Sequence, residues 1–220
     1  MEDSNCTTES YDLSKTRECI KNGKPFDFIL LGPSPASRDF IKDVSLEYLR
    51  AIGKEKSFNL LCMCIEEVIS NSVKANIKRA YFLYNNLDIT NPEDYAKGMK
   101  TFKEAGLANS KDSNIVQKVN ELGLYVKLSF KIEDNAFYIT ARNNSVISKE
   151  EIERIHKKLK LSENQTPEEM FMNSIDMTEG AGHGIIMIKK ILSQISTAKD
   201  CFSFSATDTE TVTELKISKD

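Results

Sequence analysis

The segment Glu67-Val68-Ile69-Ser70-Asn71-Ser72-Val73-Lys74 combines apolar and polar residues at regular spacing, and it is the most informative part of the sequence. Its apolar residues follow a helical period, which predicts a helix from Ser57 to about residue 76. At about 100° per residue, Glu67, Asn71 and Lys74 share one narrow stripe of that helix. Two interpretations stay open. One is a site for a divalent cation with a phosphate group, since Mg²⁺ accepts amide oxygens. The other is a solvent-exposed helix face on which glutamate and lysine side chains one turn apart interact in the ordinary way.

A second signal is the loop Gly180-Ala181-Gly182-His183-Gly184, directly before a predicted amphipathic helix. Glycines let backbone N–H groups approach an anion, and the helix N-terminus adds its positive dipole end. The spacing does not match a dinucleotide-binding fingerprint, and the Gly-Lys-Ser/Thr of a Walker loop is absent. The loop is therefore either a phosphate cradle of another kind or a flexible connector.

The rest of the chain alternates between strand and helix patterns. A strand is predicted over 26–31, and Ser37 could cap a helix that runs to about residue 52. Residues 77–87 fit a helix or a strand, and 92–122 are mostly helical with a break near Gly106. Hairpins are predicted over 125–132 with 136–141 and over 201–206 with 211–218. Between them, Ser148 opens a capping box and a helix to about residue 161.

This order of elements resembles the GHKL family, which includes gyrase, the Hsp90 chaperones, sensor histidine kinases and the anti-sigma serine kinases. Residues 67–74 look like the family's N-box, and residues 180–188 look like its second glycine box. The resemblance covers about residues 26–218. It implies an α+β Bergerat fold: a two-layer sandwich in which helices cover a mixed, mostly antiparallel sheet.

The resemblance also implies a Mg-ATP site, with ATP and Mg²⁺ as cofactors. Asn71 would be the metal ligand, Glu67 would orient or deprotonate a water or an acceptor hydroxyl, and Lys74 would lie near the phosphates or the ribose. The triphosphate would lie on the glycine loop, and residues 148–179 would form the lid. The residues implied to hold the triphosphate are Gly180, Gly182, His183 and Gly184.

The adenine end departs from the family pattern. The family has Asp-x-Gly-x-Gly there, and its Asp accepts a hydrogen bond from the adenine amino group. This chain has Asn143-Asn144-Ser145-Val146-Ile147. The Asn143 oxygen can still accept that bond, though less strongly than a carboxylate, and Ser145 in place of Gly restricts the turn. Thr213 is similar to a family Thr near the adenine.

The resemblance sets the domain organisation. Residues 1–24 are expected to be a flexible leader, and residues 25–220 the ATP-binding domain, with a helical insertion at about 85–122. The dimerisation segment of sensor kinases is missing before the first strand, so the small anti-sigma serine kinases are the nearer resemblance.

Three functions follow: a kinase or switch acting on a protein, a nucleotide-binding module without catalysis, and a scaffold that has lost the nucleotide. Expected partners are ATP or ADP and a protein partner, namely a sigma factor, an anti-sigma antagonist or another regulator. A homodimer is possible.

The amino-acid composition restricts the expected partners and cellular compartment of the protein. The chain has 220 residues and a net charge of −3, so no basic patch predicts nucleic-acid binding. The longest apolar run is far too short to span a bilayer, and no secretory signal is visible. Five scattered cysteines predict free thiols in a reducing cytoplasm. His156 lies on the predicted lid helix, and we interpret it as a solvated residue and not as a phosphoacceptor.

Overall fold

The computed structural model describes residues 11–30, 32, 34–105, 113–163 and 183–219. Within these ranges the chain forms seven α-helices and one five-stranded sheet, which confirms the predicted α+β class. The helices are α1 (Leu13–Lys21), α2 (Pro35–Ile52), α3 (Phe58–Tyr84), α4 (Pro92–Glu104), α5 (Ser113–Glu121), α6 (Lys149–Glu163) and α7 (His183–Ile195). The strands are β1 (Phe26–Leu30), β2 (Val126–Glu133), β3 (Ala136–Asn143), β4 (Phe202–Ala206) and β5 (Thr211–Ser218).

The sheet has the order β1-β2-β3-β5-β4, and every pairing among the described strands is antiparallel. The parallel part of the predicted mixed sheet is therefore not found in these residues. Both predicted hairpins are confirmed. The β2–β3 turn is made by Asp134 and Asn135, whose φ angles of 49° and 59° are those of a type I′ hairpin turn.

The core lies between one face of the sheet and the helices α2, α3 and α7. Because side chains alternate along a strand, every second residue of β2 and β3 faces the helices. Tyr48 of α2 joins the two layers: its ring stacks on Phe137 at 4.9 Å, and its hydroxyl donates to the carbonyl oxygen of Phe130 at 3.0 Å. The opposite face carries ion pairs such as Lys127 with Asp27, at 2.7 Å.

Two helix boundaries differ from the sequence prediction. Ser34, not Ser37, caps α2: its Oγ accepts from the backbone N–H of Ser37 at 3.0 Å, and Pro35 takes the first helical position. The central helix α3 does not end near residue 76 but continues through the ambiguous segment to Tyr84. Ala80 and Phe82 are buried there, so packing, which no local pattern encodes, extends the helix.

The predicted insertion does contain helices. Phe102 of α4 and Ile115 and Val119 of α5 form a small core with Ile77 and Ala80 of α3. The expected break near Gly106 lies outside the described residues. In the predicted leader, α1 packs on α2, where Arg17 pairs with Glu47 at 2.8 Å. Residues 1–10 are outside the described part of the chain.

Candidate functional site

The helices α3 and α7 pack against each other and run antiparallel. The Cys64 thiol approaches the carbonyl oxygen of Ile188 at 3.9 Å, and Glu67, one turn further along α3, lies against Gly184, one turn earlier on α7. The fold thus brings the first residue of the polar stripe to the end of the glycine loop, although the two are far apart in the sequence.

A side chain at position 184 would have to displace Glu67 from its contact with Gly184. A Cβ atom built on Gly184 would overlap Oε1 and Cδ of Glu67 and lie 2.7 Å from its Cγ. Glycine is the residue that permits such a close approach. The carboxylate of Glu67 therefore lies beside the first turn of α7, where unpaired backbone N–H groups favour negative charge.

Asn71 completes this part of the site. Its Nδ2 donates to Oε1 of Glu67 at 2.9 Å, and among the described residues no donor reaches its Oδ1. Asn71 is exposed and Glu67 is half-buried, so both can be reached from solvent. Mg²⁺ that also binds phosphates usually takes only one or two protein oxygens, and this geometry fits that requirement. Lys74, one turn further along, is exposed.

A second polar group lies where β3 ends on α3. Asn143 is buried, with 3% of its surface exposed. Its Nδ2 donates to the carbonyl oxygen of Ser72 at 2.8 Å and to Oδ1 of Asn76 at 3.0 Å. The hydroxyl of Ser145 donates to the same Oδ1 at 3.2 Å. The segment predicted to contact the base is therefore hydrogen-bonded to α3.

Thr213 belongs to the same face of the sheet. It pairs with Ala141 of β3 and with Phe204 of β4. The alternation along β5 puts it on the side of Leu215, which is buried under the helices. Asn143 pairs with Thr211, so Thr213 lies diagonally across from Asn143 on the helix-facing side.

Part of the predicted site lies outside the described residues. Gly180 and Gly182 fall in 164–182, as does the second half of the predicted lid. His183 is the first residue of α7, and only its backbone is described. The first half of the lid is helix α6, where His156 is exposed as predicted.

The sequence interpretation missed a buried ionic cluster beside Ser145. Glu151 pairs with Arg79 at 2.9 Å and with Lys78, and Arg79 Nε donates to the carbonyl oxygen of Val146. Burial acts to raise the pKa of Glu151, but the charges and hydrogen bonds of Lys78 and Arg79 outweigh it and lower that pKa to about 2.

A signal for this cluster was present in the sequence. Ser72, Asn76 and Arg79 form a second polar stripe of α3, at i, i+4 and i+7. Glu151 was recognised only as part of the capping box with Ser148, and that box is confirmed: the Glu151 N–H donates to Ser148 Oγ at 3.2 Å. The capping glutamate also anchors α6 to α3.

A groove of about 600 Å³ opens at the other end of α7. Its lining includes Lys54, Lys189 and Lys199. A 13-residue helix is about 20 Å long, so this groove is separate from the Glu67–Gly184 contact. None of the predicted site residues lines it.

The chain was compared with known proteins. No family model matches it, and no solved structure matches it. It is 30% identical over 208 residues to an uncharacterized protein of Treponema pallidum (strain Nichols). The match covers 94% of this chain but only 40% of that protein. Within the described residues, no helix is both long and apolar enough to cross a membrane.

Proposed function

We propose that this chain is a Mg-ATP-binding module of the GHKL (Bergerat) type that acts as a signalling regulator and phosphorylates or switches a partner protein. One observation carries the proposal. Glu67, hydrogen-bonded to Asn71, lies on Gly184 at the first turn of α7. An amide that could bind a metal, a carboxylate and the N-terminus of α7 therefore meet at one place.

Each group has a chemical task in this proposal. When bound, Mg²⁺ neutralises charge on the ATP phosphates. Asn71 Oδ1 would hold the metal, and its Nδ2 would keep the Glu67 carboxylate in place. Glu67 would accept a proton from, or orient, the hydroxyl or water that attacks the γ-phosphate. The backbone at the start of α7 would bind the phosphate oxygens.

Thermal unfolding with Mg-ATP and Mg-ADP tests the proposal. A nucleotide at 100 times its Kd stabilises the native state by about 2.7 kcal/mol, which for a chain of this size raises Tm by roughly 5–10 °C. Asn71→Ala should abolish the Mg-dependent part of this shift. Asn120→Ala, on the exposed face of α5, is the matched control. Absence of any shift at millimolar nucleotide would contradict the proposal.

A second candidate is a catalytically inactive nucleotide-binding or protein-interaction module with the same fold. It is favoured by the hydrogen bonds that tie Asn143, Ser145 and the carbonyl of Val146 to α3, because the base-binding segment then already has partners within the protein. ATP turnover and phosphate transfer separate the two candidates. The first candidate predicts activity that Glu67→Gln reduces by at least about 100-fold, while Tm with Mg-ATP changes little.

A further inference from the structure

The orientation of the Asn143 amide is fixed by its surroundings. One terminal atom of this side chain lies 2.8 Å from the carbonyl oxygen of Ser72. A backbone carbonyl can only accept hydrogen bonds, so that atom is the amide nitrogen. Asn143 is also buried, and a reversed amide would place two acceptors against each other without water between them.

Asn76 reinforces this orientation. Its Oδ1 accepts from Nδ2 of Asn143 at 3.0 Å and from the hydroxyl of Ser145 at 3.2 Å. Both hydrogens of the Asn143 amide therefore have partners on α3. No donor in the described part of the chain reaches Asn143 Oδ1, so within those residues this oxygen can still accept a hydrogen bond.

We infer that Asn76 is a positioning residue that turns the Asn143 amide so that its Oδ1 accepts from the exocyclic amino group of a purine. This rests on the proposed function and concerns its base-binding end. The hydrogen-bond partners at this position therefore suit an amide better than a carboxylate. Asn143 is accordingly matched to its surroundings and is not only a weaker acceptor in place of the family's aspartate. The Ser72 carbonyl requires a donor at position 143, which an ionised carboxylate lacks, and Asn76 presents its Oδ1 to the same donor.

Two consequences follow. A purine with a carbonyl in place of the amino group would put its oxygen against Asn143 Oδ1, so ITP should bind at least about tenfold more weakly than ATP. Asn143→Asp, which restores the family residue, should weaken ATP binding and lower Tm, because a carboxylate oxygen would face the Ser72 carbonyl and Asn76 Oδ1.

The experiment measures the affinities of Mg-ATP, Mg-ITP and Mg-tripolyphosphate by calorimetry. The wild type needs no substitution and should prefer ATP to ITP. Asn76→Ala should bring the ATP/ITP ratio close to one, while tripolyphosphate affinity stays the same. Asn76→Asp keeps an acceptor for both donors and should retain the wild-type ratio. Asn120→Ala controls for loss of an exposed amide, and circular dichroism checks folding.

The outcomes separate this inference from the proposed function. If the wild type binds neither nucleotide nor tripolyphosphate, the proposed function fails and the inference fails with it. If Mg-ATP binds but the wild type does not distinguish ITP, only the inference is overturned. It is also overturned if Asn76→Ala keeps the wild-type ratio, or if Asn143→Asp folds and binds ATP more tightly.

Discussion

At the scale of single residues, two positions on α3 connect distant parts of the sequence. Glu67 lies on Gly184 of α7, and Arg79 with Lys78 binds Glu151 of α6. In both cases a polar side chain on a mostly apolar helix has a partner that arrives much later in the chain. Hydrogen bonds offset the burial cost of such side chains: Glu67 accepts from Asn71, and Arg79 donates to Glu151 and to the Val146 carbonyl.

Gly184→Ala should destabilise the chain by up to about 1 kcal/mol, because the added Cβ overlaps the Glu67 carboxylate and this flexible, half-buried side chain has to turn aside. Glu67→Ala in the same chain should recover most of this loss, since it removes the overlapping atoms. A double-mutant cycle by urea denaturation measures the coupling. Gly32→Ala is the control, because its Cβ would lie 3.9 Å from Val116. Additive losses in the cycle would contradict the contact.

Glu151→Gln should lower the free energy of unfolding by about 3 kcal/mol at pH 7, because it leaves the buried Arg79 and the partly buried Lys78 without a counter-charge. The pKa of Glu151 is lowered from 4.5 to about 2 in the folded chain. Its ionic contribution is therefore present above pH 4.5 and is lost as the pH falls toward 2.

The difference between wild type and Glu151→Gln should accordingly shrink below pH 4.5, as followed by urea denaturation across this range. Glu153→Gln, at an exposed position of the same helix, should change stability little at either pH. A difference for Glu151→Gln that is the same at pH 3 and pH 7 would argue against the buried ion pairs.

At the scale of elements, α3 serves two parts of the molecule. Its first half carries the candidate site and packs on the sheet and α7. Its last turns, with Ala80 and Phe82, pack on the helices α4 and α5. These two helices thus continue the helix layer, and α6 reaches α4 through the bond from Arg154 to the Tyr95 hydroxyl, at 3.3 Å.

Gly98 is a point of close approach between α4 and α3. A Cβ there would lie 2.5 Å from Cζ of Phe82 and 3.0 Å from Cδ1 of Leu87. Gly98→Ala should therefore move α4 outward, although alanine favours an exposed helix by about 1 kcal/mol over glycine. Amide hydrogen exchange should show lower protection in α4 and unchanged protection in β2 and β3. Higher protection in α4 would contradict the predicted clash.

At the scale of the whole molecule, the core depends on ionisable groups that stay neutral. Burial raises the pKa of the Tyr48 hydroxyl above its ordinary value of 10.0. Burial also raises the pKa of the Cys64 thiol from 9.0 to about 12. Both groups lie in the single core that joins the sheet to α2, α3 and α7, so their ionisation weakens the entire fold.

The chain should accordingly lose stability in alkali. Groups with a raised folded pKa contribute fully below their unfolded pKa, and that contribution is lost as the pH rises. The free energy of unfolding should fall above about pH 9–10, by roughly 1.4 kcal/mol per pH unit for each group. Tyr48→Phe should make this fall less steep, whereas Tyr11→Phe, at an exposed position, should not. Equal slopes in urea denaturation would contradict a role for Tyr48.

Local sequence patterns were enough to predict the α+β class, both hairpins, the capping box at Ser148 and the stripe of Glu67 and Asn71. These features are local, because they depend on periodicity, turn residues and capping over a few positions. Sequence patterns did not determine where α3 ends, since its last turns are helical through burial against α4 and α5.

Which polar groups meet depends on tertiary packing. The packing of α7 on α3 puts Gly184 against Glu67. The packing of the end of β3 on α3 lets the Asn143 amide donate hydrogen bonds to Ser72 and Asn76. Tertiary packing also brings the capping residue Glu151 into ion pairs with Lys78 and Arg79. Such contacts join residues far apart in the chain, and no local pattern records the close approach that selects a glycine or orients an amide.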